Sequence, residues 1–201
     1  MAIEHNTISG VATHEPKGVS TAENGQVYVA NGAGSGLWQV PYLTGVEDYN
    51  HAGLSLSPAA TVEEKVLNDG LGVFTNTTYK IPGYPDIWNT STNQFDFSHL
   101  SLGDSVDIRF DFTVVTSGAN DDVTIIFRPG VGGSPYDLTV KRQEWRTAGT
   151  YQLTAWYSVY MGDTNTLDNP AEAYVLCETG GDTVTCNGWY VRTNKQTPEF
   201  V

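Results

Sequence analysis

The strongest constraint on the fold is the two-residue alternation of apolar and polar side chains in "DSVDIRFDFTVVT", at positions 104–116. The apolar set comprises Val106, Ile108, Phe110, Phe112 and Val114, and the polar set comprises Asp107, Arg109, Asp111 and Thr113. A β-strand sends successive side chains to opposite faces, so this pattern predicts a long antiparallel strand with one dry face. The segment "SGANDD" predicts a turn after it, and "VTIIFR" predicts the returning strand.

A second segment, "YQLTAWYSVYMG" at 151–162, repeats the alternation. One set comprises Tyr151, Leu153, Ala155, Tyr157 and Val159, and the other comprises Gln152, Thr154, Trp156, Ser158 and Tyr160. Because two aromatic residues fall in the otherwise polar set, we expect a neighbouring subunit to cover that face. Strands separated by turn signals, with no alternating helices, predict an all-β protein, an antiparallel β-sandwich of jelly-roll type.

The order of these signals divides the chain into three parts. Residues 1–42 are rich in loop formers, with short strand candidates at 26–30 and 37–42, and we expect an N-terminal arm or small β subdomain there. Residues 43–70 are expected to be a connector with one short helix, because Thr61 and Glu64 match a capping box and Gly70 ends the segment. The two-residue period then predicts the jelly roll over residues 71–201.

The charge balance restricts the partners of the protein. Lys+Arg number 10 against 23 Asp+Glu, which gives a net charge of −13. An acidic surface repels nucleic acid phosphates and anionic lipids, so we expect neither nucleic acid nor a membrane as a partner. The sequence has no stretch typical of a membrane span, and "MAIEHNTISG" lacks the features of a signal peptide. We therefore expect the chain to be made and folded in a cytoplasm.

The two cysteines, Cys177 and Cys186, lie in the segment "YVLCETGGDTVTCNGWYVR". This segment predicts a hairpin that turns at Gly181 and Asp182 and places the cysteines opposite each other at a non-hydrogen-bonded pair. A disulfide fits that geometry. The alternative, which synthesis in a cytoplasm favours, is a pair of small apolar thiols in a half-buried sheet.

Few side chains have the spacing of a catalytic or metal site. The four histidines match no zinc motif, and the chain has no Gly-x-Ser-x-Gly nucleophile motif. Asp104, Asp107 and Asp111 have a spacing compatible with glycoside hydrolysis, but any half-exposed strand of an acidic protein shows it too. The segment "GDTNTLD" at 162–168 loosely resembles a calcium loop but lacks the central glycine and the distal glutamate. We expect no enzymatic activity, no metal and no cofactor.

The segment "HEPKGVSTAENGQVYVANGAGSGLW", at 14–38, combines a Pro-Lys-Gly turn, a short strand, a glycine-rich loop and a tryptophan. It resembles a segment near the N-termini of tailed-phage virion proteins, which include head-decoration, head-fibre and tail-fibre-like proteins. The matching features are His14-Glu15-Pro16-Lys17-Gly18, Ala22, Gly25, Val27-Tyr28-Val29-Ala30, Asn31-Gly32, Gly34-Ser35-Gly36 and Trp38. The resemblance implies a virion structural protein, and jelly-roll knobs of this family are frequently trimers.

The chain is short and has no heptad coiled coil or β-helix repeat, which favours the head of the virion over its tail. We therefore expect a decoration or cement protein on the capsid surface, a homotrimer that binds the major capsid protein without catalysis. The expected capsid contacts are His14, Pro16, Lys17, Gly18, Tyr28, Gly34, Gly36 and Trp38. The alternative hypothesis is a tail-fibre or receptor-binding tip that binds host surface glycans through Trp88 or Trp156.

Overall fold

The computed structural model describes residues 22, 26–30, 36–39, 43–51 and 54–196. The strands are β1 (Val27–Ala30), β2 (Gly36–Gln39), β3 (Leu43–Asn50), β4 (Ser55–Leu56), β5 (Glu63–Lys65), β6 (Trp88–Asn89), β7 (Gln94–Phe95), β8 (Ser105–Thr116), β9 (Asp121–Arg128), β10 (Leu138–Trp145), β11 (Gly149–Tyr160), β12 (Glu172–Cys177) and β13 (Thr183–Lys195). The helix among these residues is α1 (Thr164–Asp168). The chain divides into two units, one of residues 1–42 with 198–201 and one of residues 43–197.

The larger unit is a sandwich of two antiparallel sheets. One sheet has the strand order β3-β13-β8-β11, with β4 also paired to β13, and the other has the order β5-β12-β9-β10. When the eight main strands are numbered along the chain from β3 to β13, leaving out β4, β6 and β7, these orders become 1-8-3-6 and 2-7-4-5. This is the strand order of a jelly roll, so the predicted fold class is confirmed.

The core lies between the inward faces of the two sheets. All five apolar residues of the alternating set on β8 are buried there, and so are Leu153, Ala155 and Val159 of β11. An aromatic cluster fills the centre, with the Phe95 ring 4.6 Å from Trp88 and 5.7 Å from Trp189 between centroids. Tilted ring contacts of this kind add to the stabilisation that burial of apolar area provides. The alternation of β8 and β11 thus predicts the buried face correctly.

The helix predicted around Thr61 is wrong. Residues Glu63–Lys65 form β5, which pairs with β12 at the edge of its sheet. The backbone of Thr61 has a φ of 60°, a left-handed conformation that differs from the extended conformation of a helix N-cap. A helix of about two turns is marginal by itself, so pairing with a neighbouring strand outweighs the local capping signal. The rest of the predicted connector includes β3, a full strand of the jelly roll.

The short helix lies in the segment considered as a calcium loop. Asp163 is its N-cap, and its Oδ1 accepts a hydrogen bond of 2.8 Å from the Thr166 amide. One carboxylate oxygen of Asp163 thus serves as the cap of this helix. Sequence inspection missed it because the helix spans barely more than one turn.

The hairpin predicted at Gly181 and Asp182 is also wrong. β12 pairs with β9 and β5, whereas β13 pairs with β8, β3 and β4 in the opposite sheet. Cys177 therefore lies opposite Val123, and Cys186 lies opposite Phe112. Both cysteines are buried free thiols, and the cross-strand pairing on which the disulfide rested is absent from the described strands.

β13 contains a bulge in the middle of its sheet. Cys186 pairs with Phe112 and Gly188 with Asp111, so Asn187 is an extra residue on this strand. Gly188 has a φ of 150°, and a Cβ atom at this position would lie 2.4 Å from the Tyr49 carbonyl oxygen. The bulge therefore requires glycine, because any larger residue would collide with the backbone of β3.

Candidate functional site

The predicted capsid-contact segment contains a small hairpin. β1 and β2 pair antiparallel, and Tyr28 lies directly opposite Trp38. Their rings meet edge to face with centroids 5.3 Å apart. Gly36 lies under the Tyr28 ring, since a Cβ atom there would be 2.7 Å from Tyr28 Cε1 and 2.4 Å from the Val29 carbonyl oxygen. Tyr28, Gly36 and Trp38 thus form one compact aromatic cluster.

The hairpin explains why glycine and two aromatic residues occur together in this segment. Directly opposite aromatic residues stabilise an antiparallel pair, and a glycine beside them leaves room for a ring to lie over the backbone. Val27 and Val29 of the same hairpin are exposed. The other predicted contacts, His14, Pro16, Lys17, Gly18 and Gly34, lie outside the described residues.

A second candidate site lies on the solvent side of the β3-β13-β8-β11 sheet, called here the outer face. Its centre is Arg109, whose guanidinium carbon is 5.8 Å from the Trp156 ring centroid and 5.3 Å from that of Tyr190. The two rings are 5.8 Å apart and nearly perpendicular. Arg109 Nε also donates a 2.7 Å hydrogen bond to Asp111 Oδ2. The carboxylate and both rings therefore hold the guanidinium in place.

Polar side chains around this centre are linked into rows across the strands. Thr154 Oγ1 donates to Asp111 Oδ1 at 2.9 Å. Further along the sheet, Asn187 Nδ2 donates to Thr113 Oγ1 at 3.0 Å, and Gln152 Nε2 donates to the same oxygen at 3.1 Å. A face whose polar groups already hydrogen-bond one another presents a fixed surface to a ligand.

Two aromatic residues project from the outer face along its edge strand β11. Trp156 is 55% exposed and Tyr160 is 64% exposed. They are four residues apart on one strand, so their side chains are on the same face at a spacing of about 13 Å. The predicted aromatic face is therefore exposed in the isolated chain, and the prediction that a neighbouring subunit covers it stays a prediction.

Trp88, proposed from the sequence as a sugar contact, is part of the core. Its side chain is buried, and its Nε1 donates a 2.9 Å hydrogen bond to the Asn68 carbonyl oxygen. Trp88 cannot reach a ligand on the surface, so this assignment is wrong. Sequence inspection missed Tyr190 and Arg109 as neighbours of Trp156, because these contacts depend on the registers of β11 and of β13 against β8.

The three acidic residues considered for catalysis do not form one site. Asp104 is buried and lies 3.5 Å from Lys195 Nζ, and it also accepts hydrogen bonds from the Ser101 and Gln196 amides. Asp107 and Asp111 lie on the outer face, where Ser158 and Asn194 bind Asp107 and Arg109 binds Asp111. Each carboxylate is thus engaged by neighbouring protein groups.

Among residues 54–196 and the shorter described ranges, no three His, Cys, Asp or Glu side chains are grouped as metal ligands. The same residues include no helix of the length and apolar character needed to cross a membrane.

No protein family model matches the sequence, and no curated protein matches it. Similar solved structures include a mutant VP2 protein of infectious bursal disease virus in T=1 particles, at 7% identity and a TM-score of 0.43 over 82% of this chain and 35% of that one. The T13 particle of the same virus matches at 6% identity and a TM-score of 0.44, over 82% of this chain and 34% of that one.

A xylan-binding domain from Paenibacillus barcinonensis matches at 12% identity and a TM-score of 0.35, over 74% of this chain and 99% of that one. The chain spans about a third of the length of the viral chains it matches. Similarities of this size carry neither a binding activity nor an assembly over to this protein.

Proposed function

We propose that this chain is a non-enzymatic virion protein that decorates or cements a capsid, docking on the major capsid protein through its N-terminal unit. The observation that carries the proposal is the Tyr28–Gly36–Trp38 cluster, which lies in the segment that resembles phage virion proteins. It belongs to a unit separate from the jelly roll. This division into two units supports a docking element that is distinct from the folded body.

The chemistry of the hairpin suits attachment to a protein shell. An aromatic pair provides a large and rigid apolar contact at low cost in side-chain entropy, and such residues dominate many interfaces. Single contacts of this size bind weakly, but several copies of the arm in one oligomer would bind together with far higher avidity. The net charge of −13 would keep the exposed bodies of crowded copies apart.

The proposal is tested by co-sedimentation of the purified chain with capsids that lack it. Deletion of residues 1–42 should leave a folded jelly roll that no longer binds the shells. In the full chain, Trp38→Ala should weaken binding by about 2 kcal/mol or more per contact, as loss of a buried interface aromatic does. Trp156→Ala is the matched control and should bind normally. Decoration by the truncated chain would refute docking through this unit.

A second candidate function rests on the outer face. Trp156 and Tyr160 are exposed aromatic residues beside a fixed row of carboxylates, amides and hydroxyls. Sugars bind proteins by stacking their apolar faces on aromatic rings while their hydroxyls hydrogen-bond to such groups. This arrangement favours a receptor-binding protein that recognises host surface glycans, as the alternative to capsid decoration.

Glycan-array binding distinguishes the two candidate functions. The glycan hypothesis expects specific binding that Trp156→Ala abolishes and Trp38→Ala leaves intact, the reverse of the pattern expected on capsids. The folded state of each variant is checked by thermal unfolding. Absence of glycan binding by the intact chain, together with capsid binding that depends on Trp38, would eliminate the second candidate.

A further inference from the structure

The segment 70–80 lies along the free edge of β3. Asp48 and Asn76 exchange backbone hydrogen bonds of 2.9 and 2.8 Å, and the Val46 amide donates to the Tyr79 carbonyl oxygen at 2.9 Å. The Gly72 amide donates to the Asn50 carbonyl oxygen at 2.9 Å. These bonds occupy an edge that would otherwise accept another strand, so the segment prevents association by strand addition here.

The same segment carries the most exposed apolar side chains among the described residues. Leu71 is 76% exposed, Val73 is 93% exposed, Phe74 is 78% exposed and Tyr79 is 69% exposed. Isolated exposed apolar residues are ordinary, but four within nine positions of one hydrogen-bonded segment are a concentration of the kind that marks a protein contact, and these residues are called here the patch. The function proposed above does not use it.

The patch is held in a fixed shape. Besides its bonds to β3, the Thr75 amide donates to the Gly72 carbonyl oxygen, and the Asn50 amide donates to Thr75 Oγ1 at 2.9 Å. Gly72 lies against β3 so closely that a Cβ atom there would be 2.5 Å from Asn50 Cβ. A surface fixed before binding loses little conformational entropy when a partner covers it.

Charge indicates which partner the patch accepts. Positions 70–79 contain no Asp, Glu, Lys, Arg or His, in a chain with a net charge of −13. The flanking charges are engaged, since Asp69 lies 2.9 Å from His51 and Lys80 contacts Asp86. Two copies of this acidic chain repel each other wherever their carboxylates face one another. The uncharged patch is a surface at which two copies can meet with little electrostatic repulsion. We propose that residues 71–79 form the contact through which copies of this chain associate.

The size of the patch is consistent with that role. The exposed apolar area of the four side chains is on the order of 500 Å², because an aromatic side chain alone has about 150–250 Å² of surface. A stable interface buries about 800 Å² on each partner, so the patch supplies the apolar centre and its neighbours supply the rim. The proposal is independent of capsid binding and holds whether the protein decorates a shell or binds a glycan.

Sedimentation equilibrium of the intact chain over a range of protein concentrations tests the proposal. The wild type should associate to a multiple of 21.9 kDa. The double variant Val73→Ser, Phe74→Ser should dissociate at least about a hundredfold more readily, because both side chains lose their buried apolar contact. The outer face, where the sequence predicts cover by a neighbouring subunit, is not part of this proposed contact. Tyr160→Ser, which removes an exposed aromatic residue of the outer face, is therefore the matched control and should associate like the wild type.

Ionic strength provides a second measurement on the same samples. Screening weakens the repulsion between copies that each carry −13, so association through an apolar patch should strengthen as salt is raised. Three outcomes would overturn the proposal: a wild type that stays monomeric at all concentrations, a double variant that associates normally, or association that Tyr160→Ser abolishes instead. The first outcome would indicate that a segment of the same chain or another protein covers the patch.

Discussion

Glu47 illustrates how one buried side chain makes stability depend on pH. It lies on β3, where its Oε2 accepts hydrogen bonds from the Tyr49 hydroxyl and from the Ile87 amide, the latter at 3.0 Å. Burial raises the pKa of this carboxyl above its ordinary value of 4.5, and the two hydrogen bonds only partly offset that effect. The folded state therefore binds this proton more tightly than the unfolded state does.

The sign of the pH dependence follows from this raised pKa. The stabilising effect of protonated Glu47 is fully present below about pH 4.5 and is lost as the pH rises through the folded-state pKa. Glu47→Gln keeps an acceptor for both donors but cannot ionise. Urea unfolding should show that the variant gains stability relative to the wild type as the pH rises from 4 to 8. Glu144→Gln, at an exposed position, controls for net charge. Parallel profiles for Glu47→Gln and the wild type would contradict the prediction.

At the scale of strands and turns, the sequence predicts which face of a strand is buried better than it predicts which strands pair. The alternation of β8 and β11 identifies which side chains are buried, because side-chain direction in a strand depends on local spacing alone. Both hairpin-like turns, at 117–120 and 178–182, instead connect strands of opposite sheets. A turn signal marks a reversal of the chain, and it does not determine whether the next strand joins the same sheet. The contact of Trp156 with Tyr190 was unpredictable for the same reason.

The bulge in β13 is tested by a pair of glycine variants. Gly188→Ala places a Cβ atom 2.4 Å from the Tyr49 carbonyl oxygen at a φ of 150°, which combines collision with backbone strain. Gly83→Ala strains the backbone at a φ of 83° but meets nothing within 4 Å. We expect losses of about 4 kcal/mol for Gly188→Ala and about 1–2 kcal/mol for Gly83→Ala in urea unfolding. Equal losses would show that the close approach to β3 contributes nothing.

At the scale of the whole molecule, the two cysteines report on opening of the sandwich. Both thiols are buried in the core, Cys177 on one sheet and Cys186 on the other. Burial, with the nearby carboxylates of Asp182 and Asp121, raises the pKa of Cys177 to about 12, and burial raises that of Cys186 as well. Neither is a reactive thiolate in the folded protein at neutral pH.

Maleimide labelling followed by mass spectrometry should therefore detect both thiols together. We expect labelling of the native protein at the rate of global unfolding and immediate labelling in denaturant, which serves as the control. The melting temperature should not change when a reducing agent is added, because both cysteines are free. Labelling of one cysteine well before the other, or a lower melting temperature under reducing conditions, would contradict this prediction.

The central position of β13 also determines when the protein can fold during synthesis. β13 is the last strand of the jelly roll, yet it lies between β3 and β8 and pairs with both along most of its length. A nascent chain that still lacks β13 leaves β3 without a partner strand in its own sheet and leaves one backbone edge of β8 unpaired. The pairing of β3 with β13 joins residues roughly 140 positions apart in the sequence. Such long-range contacts give a high contact order, which slows folding. The jelly roll thus folds essentially after translation of β13, and ribosome-bound or prematurely ended chains are the species most prone to aggregate.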